Sequence, residues 1–282
     1  MDQIPKPLGD RKLISLRGED IQQFYGELCE RQLSPKTIRH IHTALSSALS
    51  KAAEWRLIHR NPCDTAELPR LEHREMQSLT ADEAARLLAA AHNDKLGVVF
   101  AFSLFTGARP AEVFALKWSD IDFDRGTVTI QRTLQWRHKN QGGGWYFDQP
   151  KTKRSRRTVP LPSGLVKQLR EHRACQAEAL LKIGIRTELL FANSEGTPLH
   201  WQNVIKRHCK KVLQQAGLPA SFRLYDLRHS CATLLLQDGL NPKIVSERLG
   251  HASIVLTLDT YSHVLPDMQS EAAESLQRRF YG

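Results

Sequence analysis

Residues 224–263 read LYDLRHSCATLLLQDGLNPKIVSERLGHASIVLTLDTYSH, and this stretch decides how the rest of the chain is read. It sets Arg228, His229, His251 and Tyr261 into what is otherwise a run of short helices. Asp226 is placed to cap a helix whose apolar positions are Ala232, Leu235 and Leu236, and Gly239 ends it. Asn241-Pro242 starts the next helix, which stops at Gly250, so His251 follows a tight turn. A further short helix carrying Ser253, Thr257 and Thr260 leads to Tyr261, and Pro266 breaks the chain before a last amphipathic helix, 267–280. A tyrosine hydroxyl has a reference pKa of about 10 and is a poor nucleophile unless cations or a base favour its phenolate. Spacing alone leaves two readings open: a reactive tyrosine among cations, or ordinary helix-surface and packing residues.

Further upstream the same device recurs. The apolar run Phe100–Leu104 stops at Thr106-Gly107-Ala108-Arg109-Pro110, so Arg109 lies where one helix ends and another begins. An arginine tied to the backbone on both sides holds its planar fork still for bidentate phosphate binding. Glu112 is close enough to orient it, and a purely structural Arg-Glu pair is the alternative. Asp120–Asp124 reads as a turn, GTVTIQRTLQW from Gly126 as one alternating strand, and WYFDQP from Trp145 as a second. Then KTKRSRRTVPL, residues 151–161, crowds Lys151, Lys153, Arg154, Arg156 and Arg157 into a turn before a short third strand. Such cations repel one another unless an anion is present, so a hairpin facing nucleic acid is the leading reading and a solvated charge run the other. A lysine there could protonate a leaving oxygen if its neighbours depress its pKa.

The whole chain supports an anionic partner. Its 282 residues allow two domains, and 40 Lys and Arg against 30 acidic residues give a formal net charge of +10. No apolar run reaches the roughly 18 residues of a spanning helix, so nucleic acid is favoured over membrane. No signal-like segment follows Met1, which makes a cytoplasmic location the default. The five cysteines, Cys29, Cys63, Cys175, Cys209 and Cys231, are odd in number and lack paired spacing, as reduced structural thiols do.

Residues 1–72 read as a small helical domain and 73–282 as a second, larger one, joined by a charged, polar linker. In the first, a helix near Gly18–Arg31 precedes one opened by Ser34 as cap and Pro35. Ile38, Ile41, Leu45, Leu49 and Ala52 form its buried stripe, leaving Arg39, His40, Thr43 and Lys51 on the other side. Small hydroxyls and cations there can approach a phosphate backbone; a solvated face is the bland alternative. The second domain opens with a capping box, Thr80 and Glu83. Helix 163–181 is long and mixed, and helix 200–215 has Trp201, Val204, Ile205, Cys209 and Val212 as its apolar stripe. Beside that stripe Lys206, Arg207, Lys210 and Lys211 are suited to phosphate contact.

Four stretches together resemble the tyrosine recombinase family, the phage-type integrases: TGARPAEVFALKWSDID from Thr106, KTKRSRRTVPL from Lys151, LYDLRHSCATLLLQDG from Leu224 and LGHASIVLTLDTYSHV from Leu249. Their order and spacing agree with the family, and residues 14–55 resemble its helical core-binding domain. The resemblance implies a mainly α fold with a small antiparallel β-sheet: a helical core-binding domain and a mixed α+β catalytic domain. Arg109 and Arg228 resemble the two arginines that hold the scissile phosphate, and Tyr261 the nucleophile. His251 resembles the histidine that supports the phosphate or the nucleophile's proton. Lys151 resembles the hairpin lysine that protonates the leaving 5′ oxygen, with Lys153 competing for that place. Glu112 and His229 look like supporting members of the same motifs. One position departs from the pattern: the second box usually opens with histidine, and here it is Tyr225, which moves or weakens the base role.

The chemistry implied is a metal-free and cofactor-free transesterification through a 3′-phosphotyrosyl link. The implied partners are double-stranded DNA attachment sites, three further protomers in a tetramer, and accessory directionality or bending factors. Ile4–Leu16 already looks like the middle of the core-binding domain, so the resemblance also implies a trimmed or short member without an arm-binding domain. Type IB topoisomerase-like relaxation and a DNA-binding protein with a dead site are the alternatives. A metal-dependent nuclease lacks its clustered carboxylates and metal-ligand spacing here.

Overall fold

A computed structural model of the chain describes residues 6–71, 76–137, 142–148, 156–262 and 268–281. It divides into two compact units, Met1–Glu75 and Met76–Gly282.

In the smaller unit, helix α1 (Gly18–Glu30) and helix α2 (Pro35–Glu54) pack through Ile21, Phe24, Tyr25, Leu28, Ile38 and Leu49. Helix α2 starts where the sequence asks it to. Ser34 Oγ accepts the Thr37 N–H at 3.2 Å and Pro35 occupies the first turn, where its missing N–H is not needed. Ile38, Leu49 and Ala52 are buried, with Ile41 and Leu45 packed alongside. Across the helix His40, Thr43 and Lys51 are exposed, and Lys51 pairs with Glu54 at 2.9 Å. Arg39 is half-buried, its guanidinium donating to the Pro69 carbonyl at 3.2 and 3.3 Å. Asn61 donates to Ser46 and Ser50 and so closes the segment after the helix against it.

The larger unit is built around one apolar helix. Helix α4 (Gly97–Thr106) is buried on nearly all sides and packs against α3 (Ala81–His92), α6 (Ser163–Leu181) and α8 (Asp226–Gln237). The Thr80–Glu83 box caps α3 reciprocally, at 2.9 and 3.2 Å. A short α5 (Pro110–Val113) follows α4. After α6, helix α7 comprises Trp201–Val204, a π-helical turn Ile205–Cys209 and Lys210–Gln215. Beyond α8 come α9 (Pro242–Leu249), α10 (Ile254–Tyr261) and α11 (Met268–Phe280). On α11, Leu276 and Phe280 are 58% and 70% exposed.

The strands correct the sequence reading. GTVTIQRTLQW is two strands in two sheets, not one: β2 (Thr127–Ile130) and β3 (Thr133–Arg137). Strand β2 lies between β1 (Ile121–Asp122) and β5 (Arg157–Pro160), antiparallel to both, with Val128 opposite Ile121 and Val159. Among the described residues, strand β3 pairs with β4 (Gly144–Asp148) alone. The break has a cause. Gln131 and Arg132 are adjacent, yet both donate to the buried Asp120 carboxylate, at 2.9 and 2.5 Å. Consecutive strand residues cannot face one way, so the alternation ends there. The turn expected over Asp120–Asp124 is shorter and later: Asp120 ends a 3₁₀ turn, Ile121–Asp122 form β1, and the turn itself covers 123–126.

Two further expectations change. Trp201 is 47% exposed, whereas Val204, Cys209 and Val212 of the same stripe are buried. Asp226 does not cap α8: Tyr225 occupies the cap position, and the Asp226 carboxylate turns back to the Arg223 backbone N–H and guanidinium at 2.8, 3.0 and 3.2 Å.

Candidate functional site

The site is assembled by turns that leave glycine in the left-handed region. Gly107 ends α4 at φ 62°, and Gly250 ends α9 at φ 67°. Neither position has room for a side chain. A Cβ on Gly107 would lie 2.5 Å from Leu249 Cδ2, and one on Gly250 2.8 Å from an Arg157 Nη.

Arg109 follows the first turn and Glu112 lies one turn of α5 later, 1% exposed. The Glu112 carboxylate accepts the Arg109 N–H at 2.9 Å and the Arg109 guanidinium at 2.9 Å. It also accepts both Nη groups of Arg157, at 2.9 and 3.3 Å. Burial works against its ionisation, but the charge and hydrogen bonds of Arg157, followed by those of Arg109, hold the carboxyl below the usual carboxylate range.

The sequence places Arg157 among five cations facing nucleic acid, and the structure corrects this. Its side chain is 6% exposed, and its Nε donates to the Arg248 carbonyl at 2.6 Å. Arg248 in turn donates to the Phe105 and Pro160 carbonyls. Arg156 is exposed, and Lys151, Lys153 and Arg154 lie outside the described residues.

Arg228, on α8, is 2% exposed. One Nη donates to the Gly107 carbonyl at 2.7 Å, while the other is buried and makes no hydrogen bond among the described residues. Burial, then the charge of Arg109, pull its pKa down to about 10. His251 is half-buried, with Nδ1 2.7 Å from the Thr257 hydroxyl. Burial and the charges of Arg228, Arg109 and Arg157 bring its pKa down to about 4, so it is neutral at physiological pH.

Tyr261 closes α10 with its ring 3% exposed, and its hydroxyl lies 2.7 Å from His229 Nδ1. Burial raises its pKa, and Arg228 opposes the rise. Tyr225 is exposed, and its ring centroid is 5.3 Å from that of His229. Two guanidinium groups, those of Arg109 and Arg157, thus share the Glu112 carboxylate, and Arg228 adds a third positive charge that acts on the buried Tyr261 phenol. That arrangement suits an oxyanion with a nucleophile at its edge. Lys206, Arg207, Lys210 and Lys211 are set on α7, and of these Lys206, Arg207, Lys210 and Lys211 are all exposed.

The sequence model of the Phage integrase family matches residues 77–268. The chain belongs to the phage integrase family, the tyrosine recombinases. It is 31% identical over 287 residues to a "Tyrosine recombinase XerC-like" protein of Caldanaerobacter subterraneus, spanning 95% of this chain and 73% of that one. It is 30% identical to the ICEBs1 integrase of Bacillus subtilis, spanning 91% of this chain and 69% of that one. Among solved structures, the Tn1549 transposon integrase in complex with transposon right end DNA has a TM-score of 0.78 at 23% identity, over 96% of this chain and 88% of that one, a likeness of fold.

Membership makes this tyrosine recombinase an enzyme of site-specific DNA recombination. The mainly helical fold with small antiparallel sheets is the one expected from sequence. Among the described residues no group of three or more His, Cys, Asp and Glu could hold a metal ion, and no helix is long and apolar enough to cross a membrane. Arg157, in its buried role, and Arg248 are the site residues that sequence reasoning missed. The signal for Arg157 was its place at the head of a short alternating strand, where one of two neighbouring arginines must face inward.

Proposed function

We propose that this recombinase integrates or excises a mobile element, with Tyr261 as the nucleophile and the guanidinium groups of Arg109 and Arg228 as the phosphate clamp. The observation that carries this reading is the buried Nη of Arg228, without a hydrogen-bond partner among the described residues, beside a compensated Arg109–Glu112–Arg157 cluster. A buried guanidinium nitrogen without an acceptor costs free energy that an incoming phosphate oxygen offsets.

In the reaction, Tyr261 Oη attacks the scissile phosphorus in line. The Oη–P bond forms, the P–O5′ bond breaks, and the DNA is left as a 3′-phosphotyrosyl ester. His251, neutral, donates a hydrogen bond to a non-bridging oxygen. Lys151 protonates the departing 5′ oxygen, with Lys153 as its rival. Attack by a partner strand's 5′ hydroxyl then reverses the step and exchanges strands, in a tetramer on two attachment sites. The exposed apolar side of α11, with Leu276 and Phe280, supports packing on a neighbouring protomer. Residues 1–72 act as the core-binding domain through Arg39, His40, Thr43 and Lys51. Arg154, Arg156, Lys206, Arg207, Lys210 and Lys211 hold the duplex on the catalytic unit. The enzyme works on DNA in the cytoplasm.

The test uses a nicked duplex carrying the element–host junction that flanks the gene for this chain. Incubation in EDTA followed by denaturing electrophoresis should give a covalent protein–DNA adduct. Tyr261→Phe should abolish it, and Arg228→Ala should slow it by about 10²–10³-fold. A bound duplex that yields no adduct with the unaltered protein would refute the reading, and an adduct that survives Tyr261→Phe would move the nucleophile.

A further inference from the structure

The structure assigns a second histidine to the chemistry: we propose that His229 is the base that takes the Tyr261 proton during attack and returns it on rejoining. The assignment rests on Tyr261 being the nucleophile, as proposed above. The contact is direct, 2.7 Å from His229 Nδ1 to the Tyr261 hydroxyl, within general-base reach. It joins two helices, α8 and α10, through residues 32 positions apart in sequence, so it is a tertiary feature and not a turn of one helix.

The other groups nearby are less able to do this. His251 has Nδ1 on the Thr257 hydroxyl, and Arg228, Arg109 and Arg157 all act on its ring, which places it on the oxyanion side. Tyr225 is itself a phenol, a poorer proton acceptor than an imidazole nitrogen. His229 is different. Burial holds its pKa below the ordinary histidine value of about 6.5, Arg228 and Arg223 push the same way, and Asp226 opposes them. The ring therefore enters the reaction neutral, with its proton on Nε2 and its Nδ1 lone pair on the Tyr261 O–H. The groups facing it are Asp226 and Arg228 from its own helix, Arg223 and Tyr225 just before it, Tyr261 from α10 and His251 from the turn after α9.

The proton balance is complete. As the Oη–P bond forms, the Tyr261 proton passes to Nδ1, giving an imidazolium beside Asp226, while the 5′ oxygen leaves with a proton from a separate acid. In rejoining, the imidazolium returns its proton to Oη as the phosphotyrosyl bond breaks. A base placed this way is worth about 10²–10⁴-fold.

Single-turnover adduct formation on the nicked junction duplex tests the assignment. With the unaltered full chain, the rate should rise about tenfold per pH unit below the His229 pKa and level off at neutral pH. His229→Gln, which keeps a side-chain acceptor but no basic nitrogen, should bind the duplex as before. It should form adduct at least about 10²-fold more slowly at neutral pH, with a rate that keeps climbing with pH. The defect should persist on a duplex with sulfur in place of the leaving 5′ oxygen, because a thiolate departs without a proton. Rescue by that substrate would place His229 on the leaving-group side and overturn the assignment. So would a His229→Gln rate equal to or above that of the unaltered protein, which would make the contact a resting clamp. If His229→Gln does not fold, the profile of the unaltered protein decides alone: a rate that climbs steadily through about pH 8, well above the histidine range, excludes a histidine base. Failure of the parent reading is distinct, since it appears as no adduct at all, or as one that survives Tyr261→Phe.

Discussion

Substituting Glu112 with glutamine probes the feature on which the proposed phosphate site depends. Each Glu112 oxygen accepts two hydrogen bonds, one from Arg109 and one from Arg157. Glutamine turns one oxygen into an NH₂, which then faces two donors, and it removes the carboxylate among Arg109, Arg157 and Arg228. Breaking a buried ion pair by removing one partner costs about 3–5 kcal/mol, and Glu112 serves two partners. We therefore expect a loss of about 4 kcal/mol, or roughly 1–2 M in urea midpoint for a slope near 2–3 kcal/mol/M. Four of the five tryptophans, Trp118, Trp136, Trp145 and Trp201, lie in the larger unit, so their fluorescence reports its unfolding. The pH dependence has a definite sign. The folded pKa of Glu112 is depressed, so its stabilisation is present above the unfolded carboxylate pKa of about 4.3 and is lost as pH falls through the folded value. The gap between the unaltered protein and Glu112→Gln should accordingly close in acid. A variant within about 1 kcal/mol of the unaltered protein at neutral pH, or a gap independent of pH, would refute the argument.

Other expectations rest on single features. Gly250→Ala combines a left-handed φ with a Cβ 2.8 Å from Arg157, and should cost about 1–3 kcal/mol in thermal or urea unfolding. Replacing Lys206, Arg207, Lys210 and Lys211 together with glutamine should lower the slope of log Kd against log salt by about 0.9 for each phosphate no longer neutralised. An unchanged slope would remove α7 from the DNA interface.

Much of this architecture was legible in local chemistry. Ser34, Thr80 with Glu83, and Asn241 each begin a helix by accepting a backbone N–H two or three residues on. Such signals involve neighbours only, so sequence carries them fully. Arg109 and Glu112 were legible for the same reason, being one helical turn apart. What was not legible depends on distant partners. Arg157 looked like one more surface cation because its partner, Glu112, is 45 positions away. The break between β2 and β3 follows from Asp120, whose carboxylate draws two adjacent side chains to one face against the strand period. His229 sits next to Arg228 in sequence, but its hydrogen bond with Tyr261 exists only once α8 and α10 are packed. Trp201 shows the converse error, since periodicity assigns a residue to a face and says nothing of whether another element covers that face.

The unpartnered Nη of Arg228 has a consequence for folding as well as for catalysis. Among the described residues that buried nitrogen has no acceptor, and the phosphate oxygen of the proposed reaction would supply one. Substrate and fold then share one equilibrium: whatever oxyanion occupies that corner binds the native state and not the unfolded chain, and it stabilises the native state in proportion to the logarithm of its binding polynomial. On the proposed reading, the duplex would add stability to the catalytic unit as well as serve as its substrate.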